Sequence, residues 1–337
     1  MKVKRKAMKN RLIILSALLL APLTALPSDE SPAAAKQSSK QGVATSIATV
    51  GGAAQASALE NVPAGFEPLF DGHSLAGWHT APRLSVPKTA GEALQPAPAK
   101  TPTAQDNARG RWEVRDGIIC GGQDKLRVVH REDGMDWGLG SWLMTDATFG
   151  DFELRLDARP DWPCDTGIYV RTTPLGQGFQ ILLDHRGDDT GGVGGAIGFI
   201  YLRGIGGLRV CPHNFRWTVG PDGLPTEVKL ISGKDGVTHC EFAATGEEFR
   251  RAWHLNDWNT FRIRVVGAEP RITVWINDVK ICECDTAAIQ HPAYNPADVQ
   301  KLLGRKGHIA LEVHDGPPWR WGVDKVSRWR NIYLKEL

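Results

Sequence analysis

Several things are missing from this chain of 337 residues, and each absence removes a class of protein. No cysteine precedes Cys120, so the amino-terminal region offers no thiol for lipid attachment. The six cysteines include no CxxC pair and the ten histidines no HxxxH pair, which argues against a structural zinc site. Glycine is plentiful, yet no GxGxxG joins a strand to a helix and no GKS or GKT occurs, so a nucleotide-binding loop is excluded. The glycine-rich run "GDDTGGVGGAIGF" reads instead as permissive hairpins and bulges. A net charge of +2 with interspersed signs leaves no basic stripe for nucleic acid. Helical periodicity is nearly absent, apart from a turn or two around residues 285–303.

Long apolar runs are missing as well. The longest, Leu12 to Leu26, is broken by Pro22 and follows the basic start Lys2, Lys4, Arg5, Lys6, Lys9 and Arg11. It falls short of the roughly 18–20 residues that span a bilayer. Residues 1–26 therefore read as a secretory signal peptide, and the expected protein is secreted or periplasmic, with no stable membrane span after cleavage. Residues 27–62, rich in Ala, Ser, Gln and Gly, read as a disordered linker. That leaves residues 63–337 for the folded part, with loop insertions expected at about 80–110 and 186–258. In an exported protein the six cysteines allow up to three disulfides, whose pairing the spacing does not sort.

What is present is a succession of short alternating runs. "DFELRLDAR" sets Phe152, Leu154, Leu156 and Ala158 on one face and charges on the other. "TGIYVRTT" buries Ile168 and Val170 and sets Tyr169 and Arg171 opposite. "GFQILLDH" buries Phe179, Ile181 and Leu183 and turns Gln180, Leu182 and Asp184 away. "NTFRIRVVG" and "RITVWINDVKI" form a hairpin pair, the second turning again at Asn277-Asp278, and Asp116-Gly117 marks another turn. Many short strands so spaced predict an all-β antiparallel sandwich.

One stretch carries chemistry. In "GHIALEVHDGPP" the apolar Ile309, Leu311 and Val313 face a core, so His308, Ala310, Glu312 and His314 share the other side. The strand stops at the Asp315-Gly316-Pro317-Pro318 turn, leaving a glutamate and a histidine together at its end.

Eight motifs then occur in one order: "LFDGHSLAGW", "WEVRDGIICGG", "FGDFELRLDARP", "DTGIYVR", "WNTFRIRV", "ITVWINDVKI", "GHIALEVHDG" and "WRNIYLKEL". Together they resemble the 3-keto-disaccharide hydrolase domain family. The resemblance implies a concanavalin A-like (jelly-roll) sandwich of two curved antiparallel sheets, with a carbohydrate site on the concave face. It also implies an enzyme that cleaves 3-keto-glycosides, as hydrolase or lyase. A C3 ketone acidifies the hydrogen at C2, so cleavage by C1–C2 elimination needs a base, a stabiliser of enolate charge and an acid for the leaving oxygen. The E-x-D-x-x-E strand of laminarinase-type glucanases is absent, which disfavours a two-carboxylate glycosidase.

On the matched positions, His314, Arg171 and Glu312 are the catalytic candidates. His314 is suited to proton abstraction or metal binding. Glu312 either orients its ring or joins it around a divalent metal, the one cofactor this reading leaves open; otherwise it is a solvated outer-face residue. Arg171 either holds an enolate oxygen or pairs with Glu153 or Asp157. Gln180, Asp184 and Tyr169 are candidate substrate contacts, though the 178–185 strand fits the family pattern in two registers. Trp319 and Trp321, among twelve tryptophans, either stack on a sugar or pack the rim. The rival reading is a carbohydrate-binding, lectin-like module without catalysis on the same face.

Overall fold

The computed structural model describes residues 62–95, 110–124, 129–130, 136–137, 140–185, 193–194, 197–210, 213–232, 240–316 and 318–337. The expected signal peptide (1–26) and nearly all of the expected linker (27–62) lie outside the described residues.

Two broad antiparallel sheets carry the fold, an all-β jelly-roll sandwich of the concanavalin A-like class. The nine-stranded sheet runs Phe242–Ala243, Val279–Asp285, Arg271–Ile276, Asn259–Val266, Phe152–Pro160, Val326–Glu336, Ile118–Gly122 and Arg111–Arg115, with Glu67–Pro68 added to Val326–Glu336. The seven-stranded sheet runs Arg209–Val210, Ile200–Arg203, Gly178–Asp184, Asp165–Thr172, His308–Val313, Ser141–Thr145 and Trp78–Pro82. Leu154, Leu156, Phe261 and Ile263 from the first meet Ile168, Val170, Phe179, Ile181, Ile309 and Leu311 from the second in one core. The alternation read from sequence therefore sets the inner faces correctly.

Turn chemistry sets the register. Asp116 and Gly117 both have positive φ (51° and 76°), as do Asn277 and Asp278 (47° and 64°). Two successive left-handed residues make the tight hairpin turn that matches strand twist. Helices are short. Pro296–Leu303 starts on an Asn295 cap and stops at Gly304, where the sequence placed its helical turn. The Gly246–Ala252 helix was not foreseen, although Thr245 and Glu248 form a capping box, a pattern visible in the sequence.

Several expectations change. The stretch 80–110 is more than a surface loop: it holds the end of the Trp78–Pro82 strand, a capped turn of helix at Ala90–Ala93 and the inserted Arg83. Residues 96–109 of it lie outside the described residues. Within 186–258 a small three-stranded sheet, Val193–Gly194, His213–Val219 and Pro225–Ser232, is hydrogen-bonded separately from the two large ones, while its Trp217 joins Phe249 and Trp253 in the main core. Trp321 is no sugar platform. It is 1 % exposed, packs on Cys164 and Val313, and donates its indole N–H to the Lys325 carbonyl at 2.9 Å. The Trp319 side chain lies outside the described residues.

Arg171 also departs from strand parity. It takes a positive φ (52°) beside a register shift between His308 and Ala310. The bulge turns its side chain away from Tyr169, and the buried guanidinium donates to the Gly150 carbonyl (2.8 Å), Asp151 (2.8 Å) and the Gly267 carbonyl (3.0 Å). It thus joins the strand to two loops, and its acidic partner is Asp151, not Glu153 or Asp157. Arg171→Ala leaves those acceptors without a donor and should destabilise by about 2–4 kcal/mol. A urea titration reads that loss, and turnover per folded molecule should stay within about twofold of the parent. An unchanged midpoint with collapsed turnover would return Arg171 to the reacting centre.

Candidate active site

The middle of the seven-stranded sheet is buried on both faces. Every residue of Asp165–Thr172 and Gly178–Asp184 is buried, whereas Phe152–Pro160 in the other sheet alternates buried with half-buried. The face turned away from the core carries Trp142, Met144, Tyr169 and Ala310 as a second apolar cluster. The Arg203 guanidinium lies over the Trp142 ring, 4.5 Å from its centre. Polar side chains fill the rest of this face.

Glu312 is at its middle, opposite Trp142, with a side chain that is 0 % exposed. Its Oε1 accepts from Arg83 Nε (2.7 Å) and the Tyr169 hydroxyl (3.2 Å), and its Oε2 accepts from Gln180 Nε2 (2.9 Å). The Arg83 fork continues to Asp315 Oδ1 at 2.8 Å and to His314 Nε2 at 2.8 Å. Burial works against the Arg83 charge, but Asp315 and Glu312 outweigh it and raise its pKa. Burial, and then the Glu312 charge, push the Tyr169 phenol well up, so it stays a donor.

His314 meets the Asp315 carbonyl with Nδ1. That oxygen can only accept, so Nδ1 carries the hydrogen and the Nε2 lone pair faces the guanidiniums of Arg83 and Arg320, the latter at 3.3 Å. Burial lowers the imidazole pKa well below its ordinary value, and the charges of Arg83 and Arg320 lower it further. The ring is therefore neutral at physiological pH, with one lone pair directed at donors.

Asp165 Oδ2 lies 3.7 Å from His314 Nε2 and 3.3 Å from Arg320 Nε. It stands opposite Asp184 across the strand pair, and Asp184 accepts from Arg209 at 3.1 Å. Burial and the neighbouring Asp184 charge raise the Asp165 pKa well above the carboxylate range, so it holds its proton. Next to Asp184, His185 is fully buried among Trp162, Trp217 and Trp253, with ring centres 5.4, 6.0 and 5.7 Å away. Its Nδ1 lies 2.9 Å from the Cys164 carbonyl, and burial pushes its pKa down to about 4.

Of the residues singled out from sequence, the structure brings His314, Glu312, Tyr169 and Gln180 into one network, with Asp184 joined to it through Asp165. Gln180 pairs with Tyr169 and Asp184 with Asp165, so both side chains share the site face. Arg171 and Trp321 are elsewhere. Sequence reading missed Arg83, Asp165, Asp315 as a working partner, and Arg320. Asp165 has the parity of Tyr169 and could have been found that way. Arg83 gave no signal, standing alone at the start of a Pro/Ala-rich run. A metal does not fit Glu312 and His314: three donors already surround the carboxylate, and guanidiniums face the imidazole lone pair. Among the described residues no cluster of three or more His, Cys, Asp or Glu is arranged to hold a metal ion.

An antiparallel sandwich with an acid–base cluster on one sheet face is the architecture here, and the family match makes this a carbohydrate-active protein. The chain belongs to the 3-keto-alpha-glucoside-1,2-lyase-like domain family, whose model matches residues 65–335. No curated protein matches it. Among solved structures it is similar to a candidate glycosyl hydrolase from Parabacteroides distasonis ATCC 8503, with 12 % identity and a TM-score of 0.39 over 81 % of this chain and 94 % of that one. The carbohydrate-binding module CBM66 from Bacillus subtilis has 11 % identity and a TM-score of 0.35 over 68 % and 92 % of the two chains. A Bacillus licheniformis β-glucanase has 10 % identity and a TM-score of 0.36 over 83 % and 96 %. Likeness at this level assigns no activity.

Acid stability follows from the buried imidazoles. A histidine with a depressed folded pKa stays neutral while the unfolded chain takes up a proton near pH 6.5. The unfolded state then binds more protons, so stability is lost as pH falls through 6.5 toward about 4, the His185 value. His185 alone accounts for about 3 kcal/mol at pH 4. Denaturant unfolding of the parent and His185→Phe at pH 7.5 and pH 4.5 checks this. The parent should lose more stability than the variant on acidification, by roughly 2–3 kcal/mol; equal losses would mean that His185 is not buried as a neutral ring.

Proposed function

We propose that this protein is an exported enzyme that cleaves 3-keto-glycosides by elimination across C1–C2, followed by addition of water. Residues 63–337 form its catalytic unit, behind a cleaved leader (1–26) and a linker (27–62). The observation that carries the reading is the neutral His314 imidazole, whose Nε2 lone pair sits between two guanidiniums and 3.7 Å from an Asp165 that holds its proton. A base, an oxyanion stabiliser and an acid are the three groups the elimination needs.

In this reaction the C3 ketone oxygen takes up the guanidiniums of Arg83 and Arg320, which stabilise charge on that oxygen and release the Nε2 lone pair. Nε2 removes the C2 proton, the electron pair forms the C1=C2 bond, and the C1–O bond breaks. Asp165 protonates the departing oxygen. Water then adds at C1 of the enone and yields the free 3-keto sugar. Glu312, held by Tyr169 and Gln180, positions Arg83; Asp184 keeps Asp165 protonated. The family description, a 1,2-lyase-like domain, supports this order of events.

The binding-module reading keeps one observation, an open pocket of about 610 Å³ lined by Trp217, Trp253, Phe249, Glu227, Lys229 and Arg250. A binder holds glycans there but releases no aglycone.

The test is incubation with an aryl 3-keto-glucoside and its unoxidised parent, with and without chelator, following aglycone release and C2–H/D exchange. Release from the 3-keto substrate alone, unaffected by chelator, is expected. His314→Gln should fold, lose about 10²–10⁴ in rate and lose C2 exchange with it. Asp165→Asn should keep C2 exchange and lose far more rate on alkyl than on nitrophenyl leaving groups. Parent-like turnover by His314→Gln, or equal cleavage of the unoxidised glucoside, would sink the mechanism.

A further inference from the structure

The neck of the middle excursion contains a pair of thiols that the proposed chemistry does not use. The chain leaves the edge of the seven-stranded sheet at Val210, the end of Arg209–Val210. It returns at Cys240, two residues before Phe242–Ala243, the edge strand of the nine-stranded sheet. Departure and return meet in space: Cys240 Sγ lies 3.7 Å from the Val210 carbonyl oxygen. The same sulfur lies 3.8 Å from Cys282 Sγ on the neighbouring strand Val279–Asp285. Cys240 is therefore at the crossover between the two sheets, and Cys282, whose sulfur it approaches, belongs to a strand buried in the core.

We propose that Cys240 and Cys282 are a disulfide site that pins the return limb of this excursion, and the short edge strand it leads into, to the sandwich. Both are thiols in the structure, and a bond of about 2.0 Å requires their sulfurs to approach by under 2 Å. Rotation of the half-buried Cys240 side chain is the movement available, because Cys282 is fully enclosed. The other pairing on this strand is poor. Cys282 and Cys284 face the same way two residues apart, about 6.7 Å along the strand, at the far limit of disulfide geometry.

The edge strand that Cys240 leads into is only two residues long and pairs through Phe242–Glu283 and Ala243–Cys282, with one further backbone bond from Ala244 to the Ile281 carbonyl. So short an edge opens easily, and a covalent tie beside it removes that freedom.

The oxidant is a second disulfide, such as glutathione disulfide or a dithiol–disulfide carrier protein. The Cys240 thiolate attacks it and expels one carrier thiolate, forming a mixed disulfide. The Cys282 thiolate then attacks Cys240 Sγ and expels the second. Two protons and two electrons pass from the cysteines to the carrier, and the balance closes.

The test uses the purified, reduced full chain in glutathione buffers from fully reducing to fully oxidising, alkylated and mapped by non-reducing peptide mass spectrometry. A Cys240–Cys282 link should accumulate, with a Tm about 5–15 °C above the reduced protein. Cys240→Ser and Cys282→Ser should each abolish both the link and the redox dependence of Tm, while Cys284→Ser keeps both. Circular dichroism establishes that the variants are folded. A dominant link from Cys240 to Cys284 or Cys211, or free thiols at both positions in excess glutathione disulfide, would overturn the proposal.

Discussion

A carboxylate with no exposure, in the middle of a sheet, has to be compensated on the spot, because removing such a charge from water costs several kcal/mol. Glu312 is in that position, and the rest of the site is arranged around its needs. Tyr169 and Gln180 supply two donors from neighbouring strands, and Arg83 supplies the charge. Arg83 reaches Glu312 only because the chain after Pro82 turns back over the sheet. Once there, its remaining nitrogens engage Asp315 and His314. Satisfying one glutamate thus also fixes the histidine's ring and sets positive charge against its lone pair, which adds to the larger effect of burial in lowering its pKa.

The two sheets differ in a way that period-two patterning does not capture. Alternation tells which residues share a face but not what lies against that face. In Phe152–Pro160 the outward residues stay half-buried and charged, the ordinary solvated side of an antiparallel sheet. In Asp165–Thr172 and Gly178–Asp184 the outward residues are as buried as the inward ones. Asp165, Tyr169, Gln180, Asp184 and Glu312 are consequently an interior polar layer, held by hydrogen bonds and by arginines arriving from three separate segments at 83, 209 and 320.

Legibility divides along the same line. Whatever depends on neighbours in sequence could be read: the hairpins at Asp116-Gly117 and Asn277-Asp278, the inner-face residues, the helix before Gly304, and the shared face of His314, Glu312, Tyr169 and Gln180. What depends on distant segments could not. Nothing near Arg83 announces that it will cross to residues 312–315. Arg171 misled because one positive φ beside a bulge cancels the parity on which its assignment rested. Trp321 misled because a proline turn next to a site suggests a rim, while its indole is enclosed by Cys164 and Val313.

These constraints also bear on which chemistry the site can support. A displacement at the anomeric carbon needs a carboxylate with an open oxygen, and Glu312 has both oxygens occupied beneath the surface. Asp315 is spoken for by Arg83, and Asp165 is held in its protonated form, so neither offers a nucleophile. The reactive lone pair left in the cluster is His314 Nε2, and it is masked by guanidiniums until something draws them off. A ketone oxygen does so while presenting an acidic C–H two bonds away; an ordinary sugar hydroxyl, which is itself a donor, competes poorly for them. In the proposed reaction, selectivity for the oxidised sugar and activation of the base are then one event: the group that unmasks the histidine is the group that makes its proton removable.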